Sequence, residues 1–228
     1  MNKIIKYLLI VNLTIPTIVS GQDHKLFNNF CIEIGPAYNT ATWNINIHDQ
    51  SFDYDTIFRR NKFWITPTLR IKYNFSILKI NNNLKLKVSP FIGYNAFGGK
   101  SGRGLGGYHD YYLFQSIEIG IQPSLDFKNK VQISCGFKGQ YIFNAKALYY
   151  GGLNQPDSVP RKWLTRDVND WIADYSINVG IGIRYKIKKL TLGAESWFGL
   201  SNIYFSEVDM KSIRITENNY RLLIGIEF

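Results

Sequence analysis

Only two cysteines occur in the 228 residues, Cys31 and Cys135. Two thiols exclude the disulfide framework that staples small exported domains. Histidine is scarce as well, with three copies at His24, His48 and His109. None of them shares a short spacing and a common face with a serine and an acid, so the pattern offers no base–nucleophile pair. Long apolar runs are missing beyond the first 21 residues. A membrane-spanning helix needs about 20 such residues, so helices cannot be the spanning element. Acidic residues are outnumbered, 17 against 27 Lys and Arg.

The opening segment, "MNKIIKYLLIVNLTIPTIVSGQ", carries what the rest lacks. Lys3 and Lys6 precede an apolar run from Tyr7 to Val19, interrupted by Asn12 and Pro16, and small residues precede Gln22. This is the layout of a signal peptide over residues 1–21, leaving a mature domain of 22–228 outside the cytoplasm. No cysteine follows the cleavage point, which argues against a lipid anchor. Removing Lys3 and Lys6 lowers the formal charge from +10 to +8. Export turns that basic excess toward a membrane surface and away from nucleic acid.

Beyond the signal, apolar and polar residues alternate with a period of two. In "KFWITPTLRIKYNFSI", Phe63, Ile65, Leu69, Ile71, Tyr73 and Phe75 share one face, while Lys62, Thr66, Thr68, Arg70, Lys72 and Asn74 share the other. That period specifies a strand with one apolar and one polar side. The pattern predicts strands over 29–44, 62–77, 84–97, 111–127, 131–144, 171–187, 190–204 and 216–228. They are longer than the ordinary strand of about 5–6 residues. Their connections alternate between short turns at "KINNN", "KNK" and "KK" and long loops near 45–61, 98–110, 145–170 and 205–215. Short turns at one rim and long loops at the other indicate an eight-stranded antiparallel up-and-down transmembrane β-barrel, with both ends at the short-turn rim.

Aromatics fit the same reading. Tyr38, Phe63, Tyr94, Tyr111, Tyr141, Phe143, Trp171, Tyr175 and Tyr220 fall toward the long-loop rim, and Phe30, Tyr73, Phe75, Phe127, Tyr185 and Phe228 toward the other. Two such bands form interfacial girdles. Pro36, Pro67, Pro90 and Pro123 run against it, because they fall inside strands of a barrel that has no edge to hold them. Bulges are expected to absorb them.

The inward register holds Glu33, Arg70, Glu118, Lys138, Arg184, Glu195 and Arg221. Eight strands enclose a lumen that side chains can fill, and isolated charges there would be costly, so these seven are expected to pair as an ionic network. The same charges exclude a soluble barrel with an apolar interior. Cys31 and Cys135 lie on distant strands in different registers, so no disulfide is expected. "HDQSFDYD", with His48, Asp49, Asp53 and Asp55, lacks the ordered spacing and glycine of a calcium loop and reads as a solvated acidic loop, so no metal is assigned. Lys79, Lys85, Lys128, Lys130, Lys186, Lys188 and Lys189 collect at the short-turn rim, within reach of lipid headgroups. Gly102, Gly104 and Gly107 match G-x-G-x-x-G, but a strand follows them where a nucleotide site needs a helix. The segment 98–110 therefore reads as a mobile surface loop, and no cofactor is assigned.

With a leader ending "VSGQ", eight alternating strands and the terminal "YRLLIGIEF", the chain resembles small outer-membrane β-barrel proteins of Bacteroidota, the PorT-like "outer membrane protein beta-barrel" grouping, with the architecture of the OmpA-type transmembrane domain. The resemblance implies residence in the outer membrane, contact with its lipids, and no catalytic residues. It also implies that Tyr220, Leu222, Ile224, Ile226 and Phe228 form the signal read by the barrel assembly machinery during insertion. The expected role is that of a non-enzymatic structural or surface-interaction protein acting through its long loops, with a surface or secretion-system protein as partner. The alternatives are a narrow pore, a component of a protein secretion system, and a lipid-modifying enzyme.

Overall fold

Strands form wherever the period-two pattern runs. A computed structural model describes residues 29–45, 64–103, 109–151, 162–167, 169, 173–203 and 213–228. The expected signal segment 1–21, His24, His48 and the expected acidic loop lie outside the described residues. The strands are β1 (Phe30–Ile45), β2 (Trp64–Tyr73), β3 (Phe75–Asn81), β4 (Leu84–Arg103), β5 (His109–Phe127), β6 (Val131–Gly151), β7 (Lys162–Asp167), β8 (Tyr175–Ile187), β9 (Leu190–Gly199) and β10 (Ile213–Glu227). β2 and β3 are one stave interrupted at Asn74, since both pair with β4. β7 and β8 likewise both pair with β6. Each of the resulting eight staves is antiparallel to its neighbours, and β10 pairs with β1 to close the ring.

The registers fix the barrel's shape. From Phe30 the register passes to Tyr73, to Pro90 when the β2–β4 register is carried one residue past Lys72–Phe91, and then to Ile121, Phe137, Val179, Phe198 and Asn218, returning to β1 at Thr40. The start and finish differ by ten residues, 40 − 30, which is the stagger of the closed sheet. With eight staves this corresponds to strands tilted by about 40° to the axis.

Two environments sort the side chains. On β8, Tyr175, Ile177, Val179, Ile181, Ile183 and Tyr185 are exposed on the outer wall, while Ser176, Asn178 and Arg184 are buried inside. The same division runs through β1, β2, β5 and β10. The barrel is thus apolar outside and polar inside. Aromatic rings meet near both rims of the outer wall. Phe30 lies edge-on to Tyr73 at 4.9 Å, and Tyr73 lies 4.4 Å from Phe75. At the other rim, Tyr38–Tyr220 and Tyr141–Tyr175 approach to 6.0 and 5.3 Å. Phe63 and Trp171 lie outside the described residues, as does the side chain of Tyr111.

The prolines sit where the ladders are interrupted. Pro36 falls in the gap of the β1–β10 register between Ala37 and Ile34. Pro123 falls in the β5–β6 gap between Ile121 and Ser124. Pro90 falls in the gap between Phe91, where β2–β4 pairing ends, and Val88, where β3–β4 pairing begins, and Pro67 lies one residue before β2–β4 pairing begins at Thr68. A missing N–H costs no rung at a place where no rung is made. Gaps in register, more than bulges, accommodate them.

Two expected loops are corrected. The segment 98–110 is mostly strand, with Gly99 opposite Tyr112, Lys100 opposite Tyr111 and Arg103 opposite His109. Gly104 and Gly107 lie outside the described residues. The segment 145–170 also contains strand, because β6 runs to Gly151 and pairs with β7. Pairing across the hairpins extends these strands through stretches where the sequence no longer alternates. In the other direction, β8 starts at Tyr175 and not at 171, and β9 ends at Gly199 and not at 204. At the short-turn rim, Lys130 donates its N–H to Phe127 O at 2.9 Å, with Lys128 and Asn129 both at φ 54°. That is the type I′ geometry matching strand twist.

Candidate functional site

Alternate residues of every stave point into the lumen, and their identities decide what fills it. The structure brings together all seven inward charges singled out in the sequence. Toward the short-turn end, Glu33 accepts from Arg70 Nε at 3.0 Å and Arg184 Nε at 2.7 Å. Lys72 Nζ lies 2.6 Å from Glu33 Oε1. Glu195 accepts from Arg70 Nη1 at 3.1 Å, Arg70 Nη2 at 2.9 Å and Gln122 Nε2 at 2.8 Å, and is also bridged by Arg184.

One layer higher, Glu118 is gripped by both terminal nitrogens of Arg221, at 2.6 and 2.7 Å. Lys138 Nζ completes this group at 2.9 Å. Arg221 Nε donates to Asn219 Oδ1 at 2.7 Å, which leads to a layer of amides. There Glu217 accepts from Gln140 Nε2 at 2.6 Å and from Asn95 and Asn219 Nδ2 at 3.3 Å. Glu33, Glu118 and Glu195 each meet cations inside the wall, as desolvated ions require, while Glu217 is held by amides.

Trp197 joins the two ionic layers and is fully buried, at 0% exposure. Its indole N–H donates to Glu195 Oε2 at 2.8 Å. Lys138 Nζ lies 5.0 Å above its ring, and Arg221 approaches to 6.0 Å. Phe91 stands edge-on to the ring at 5.9 Å and carries Arg70 at 4.8 Å. Gly180 makes the room: a Cβ there would lie 2.5 Å from the indole. This cluster of ions and rings packs the middle of the lumen.

An apolar outer wall suits hydrocarbon, and a satisfied ionic core suits the inside of a closed sheet; water on both sides would suit neither. The chain is an outer-membrane β-barrel. No protein-family model matches it, and no curated protein matches it. Among solved structures the barrel is similar to Ail, the attachment invasion locus protein of Yersinia pestis, at 12% identity, a TM-score of 0.44 and coverage of 88% of this chain and 99% of that one. It is also similar to Neisserial surface protein A, at 12% identity, TM-score 0.44, covering 87% and 97%. A third likeness is to the outer membrane protein OprG from Pseudomonas aeruginosa, at 11% identity, TM-score 0.39, covering 88% and 96%.

The expected network left out Lys72, Gln122, Trp197 and Glu217, although Lys72 was placed on the polar face with Arg70. Each shares the parity of a residue it included: Lys72 with Arg70, Gln122 with Glu118, Trp197 with Glu195, and Glu217 with Arg221. Lys186, read as a rim cation, is half-buried and pairs with Glu227. Cys31 is buried in the lumen, 3.9 Å from Thr191 Oγ1, while Cys135 is exposed on the outer wall. The five residues of the expected assembly signal, Tyr220, Leu222, Ile224, Ile226 and Phe228, all face outward along the last stave.

Proposed function

We propose that this barrel is a non-catalytic structural or surface-interaction protein of the outer membrane, acting through its long-loop rim. The carrying observation is the lumen filled at mid-height by Trp197, with Arg70, Lys138, Glu118, Glu195 and Arg221 around it. Packing of that kind supports a wall in preference to a passage. The extended hairpin β4–β5 and the β6–β7 ribbon enlarge the rim on which a partner would be met. The finer assignment, to the PorT-like barrels of Bacteroidota, belongs to the same proposal, as does recognition of Tyr220 to Phe228 by the assembly machinery.

Purified protein in planar lipid bilayers is expected to give no stepwise current, and discrete conductance would replace this reading with a narrow pore. Crosslinking on intact cells, followed by identification of the captured protein, is expected to return a partner joined through the long-loop rim. Capture solely through the short-turn rim would overturn the assignment of the contact surface.

A further inference from the structure

Among the described residues, the sheet has an open edge at the short-turn rim. The seam between β1 and β2 ends where Asn74 donates its N–H to Asn29 O at 2.9 Å. Beyond that rung the stave continues for seven residues as β3, which among the described residues pairs with β4 alone. Both sides of β3 emerge from the barrel, with Ile77, Leu78 and Ile80 exposed at 61, 55 and 51%. An apolar strand with one unpaired edge is a template for another strand. Register shifts at Ser76/Leu78 and Lys79/Asn81 bend it, which disfavours long flat stacking and suits a short occupant.

Charge identifies the occupant. Lys79 stands directly opposite Lys85, a like-charge pair that opposes strand pairing. Lys128 and Lys130 follow in the adjacent turn. Lys85 Nζ reaches Asn129 Oδ1 at 3.1 Å. Among the described residues none of these four cations meets a carboxylate, whereas Lys87 is bridged by Asp126 and Lys186 by Glu227. A strand laid along β3 would set its side chains opposite Lys79, and an acidic residue there would relieve the repulsion. We infer that the β3 edge docks an extended acidic segment, about seven residues long, of a partner protein on the inner side of the outer membrane. This inference rests on the fold and not on the role of the long-loop rim.

The test uses the refolded full barrel in a zwitterionic detergent and two fluorescent seven-residue peptides, one alternating Val with Glu and the other Val with Lys. Anisotropy is expected to show the Glu peptide binding at least tenfold more tightly than the Lys peptide. Leu78→Lys should weaken it at least tenfold, and the double change Lys79→Glu with Lys85→Glu should reverse the preference. Heat-modifiable gel migration of both variants checks that the barrel is still closed. Equal binding of the two peptides, no binding, or binding indifferent to both changes would overturn the inference. A wild-type dimer that Leu78→Lys dissociates would overturn it too, since a second copy would then hold the edge.

Discussion

Glu118 answers two cations at once, Arg221 through both oxygens and Lys138 through one, at full burial. Replacing it with Gln leaves two desolvated positive groups facing each other across an uncharged amide. Loss of one partner from a buried ionic group costs about 3–5 kcal/mol. Glu118→Gln is therefore expected to lower the urea midpoint of the folded barrel clearly, and adding Lys138→Gln should recover part of the loss. A barrel indifferent to Glu118→Gln would show that the network contributes little. At this scale the sequence was informative about which residues face inward, because parity along a strand is a strict code. It was silent about which inward residues meet, since partners such as Glu33 and Arg184 lie 151 positions apart. Trp197 escaped notice because an aromatic in a membrane barrel is ordinarily a girdle residue, and only its parity with Glu195 places it inside.

At the scale of the strand, Gly35 shows what closure demands. A Cβ at this position would lie 1.8 Å from the carbonyl oxygen of Leu222, backbone against backbone. No rotamer change relieves such a contact, so Gly35→Ala must part β1 from β10 beside Pro36. The expected result is loss of the heat-modifiable migration that marks a closed barrel; Gly139→Ala, with open space around its site, should keep it. Strand positions were legible because the lipid-facing belt imposes alternation. Strand ends were not, because β4 to β7 run on through stretches such as "GGKSGR", where apolar and polar residues no longer alternate. The prolines were legible as a conflict but not as its solution, which lies in gaps belonging to the neighbouring strand.

The whole molecule was the most legible level, since an even set of long alternating strands with unequal connections has few other ways to fold. Closure should be visible through the indole at its centre. With the other four of the five tryptophans changed to Phe, Trp197 fluorescence during refolding into lipid is expected to change together with the gel shift. A fluorescence change that precedes the shift would mean that the lumen packs before the ring closes. The pairing of distant residues also sets a chronology. Glu33 must wait for Arg184, and Glu118 for Arg221, the one 151 and the other 103 positions later. Contacts of such separation form slowly, because the intervening chain must first be brought into place. Until those later staves arrive, Glu33 has only Arg70 and Lys72 as cations and Glu118 only Lys138, so a stalled chain would hold these carboxylates half-paired in a lumen still open at one side.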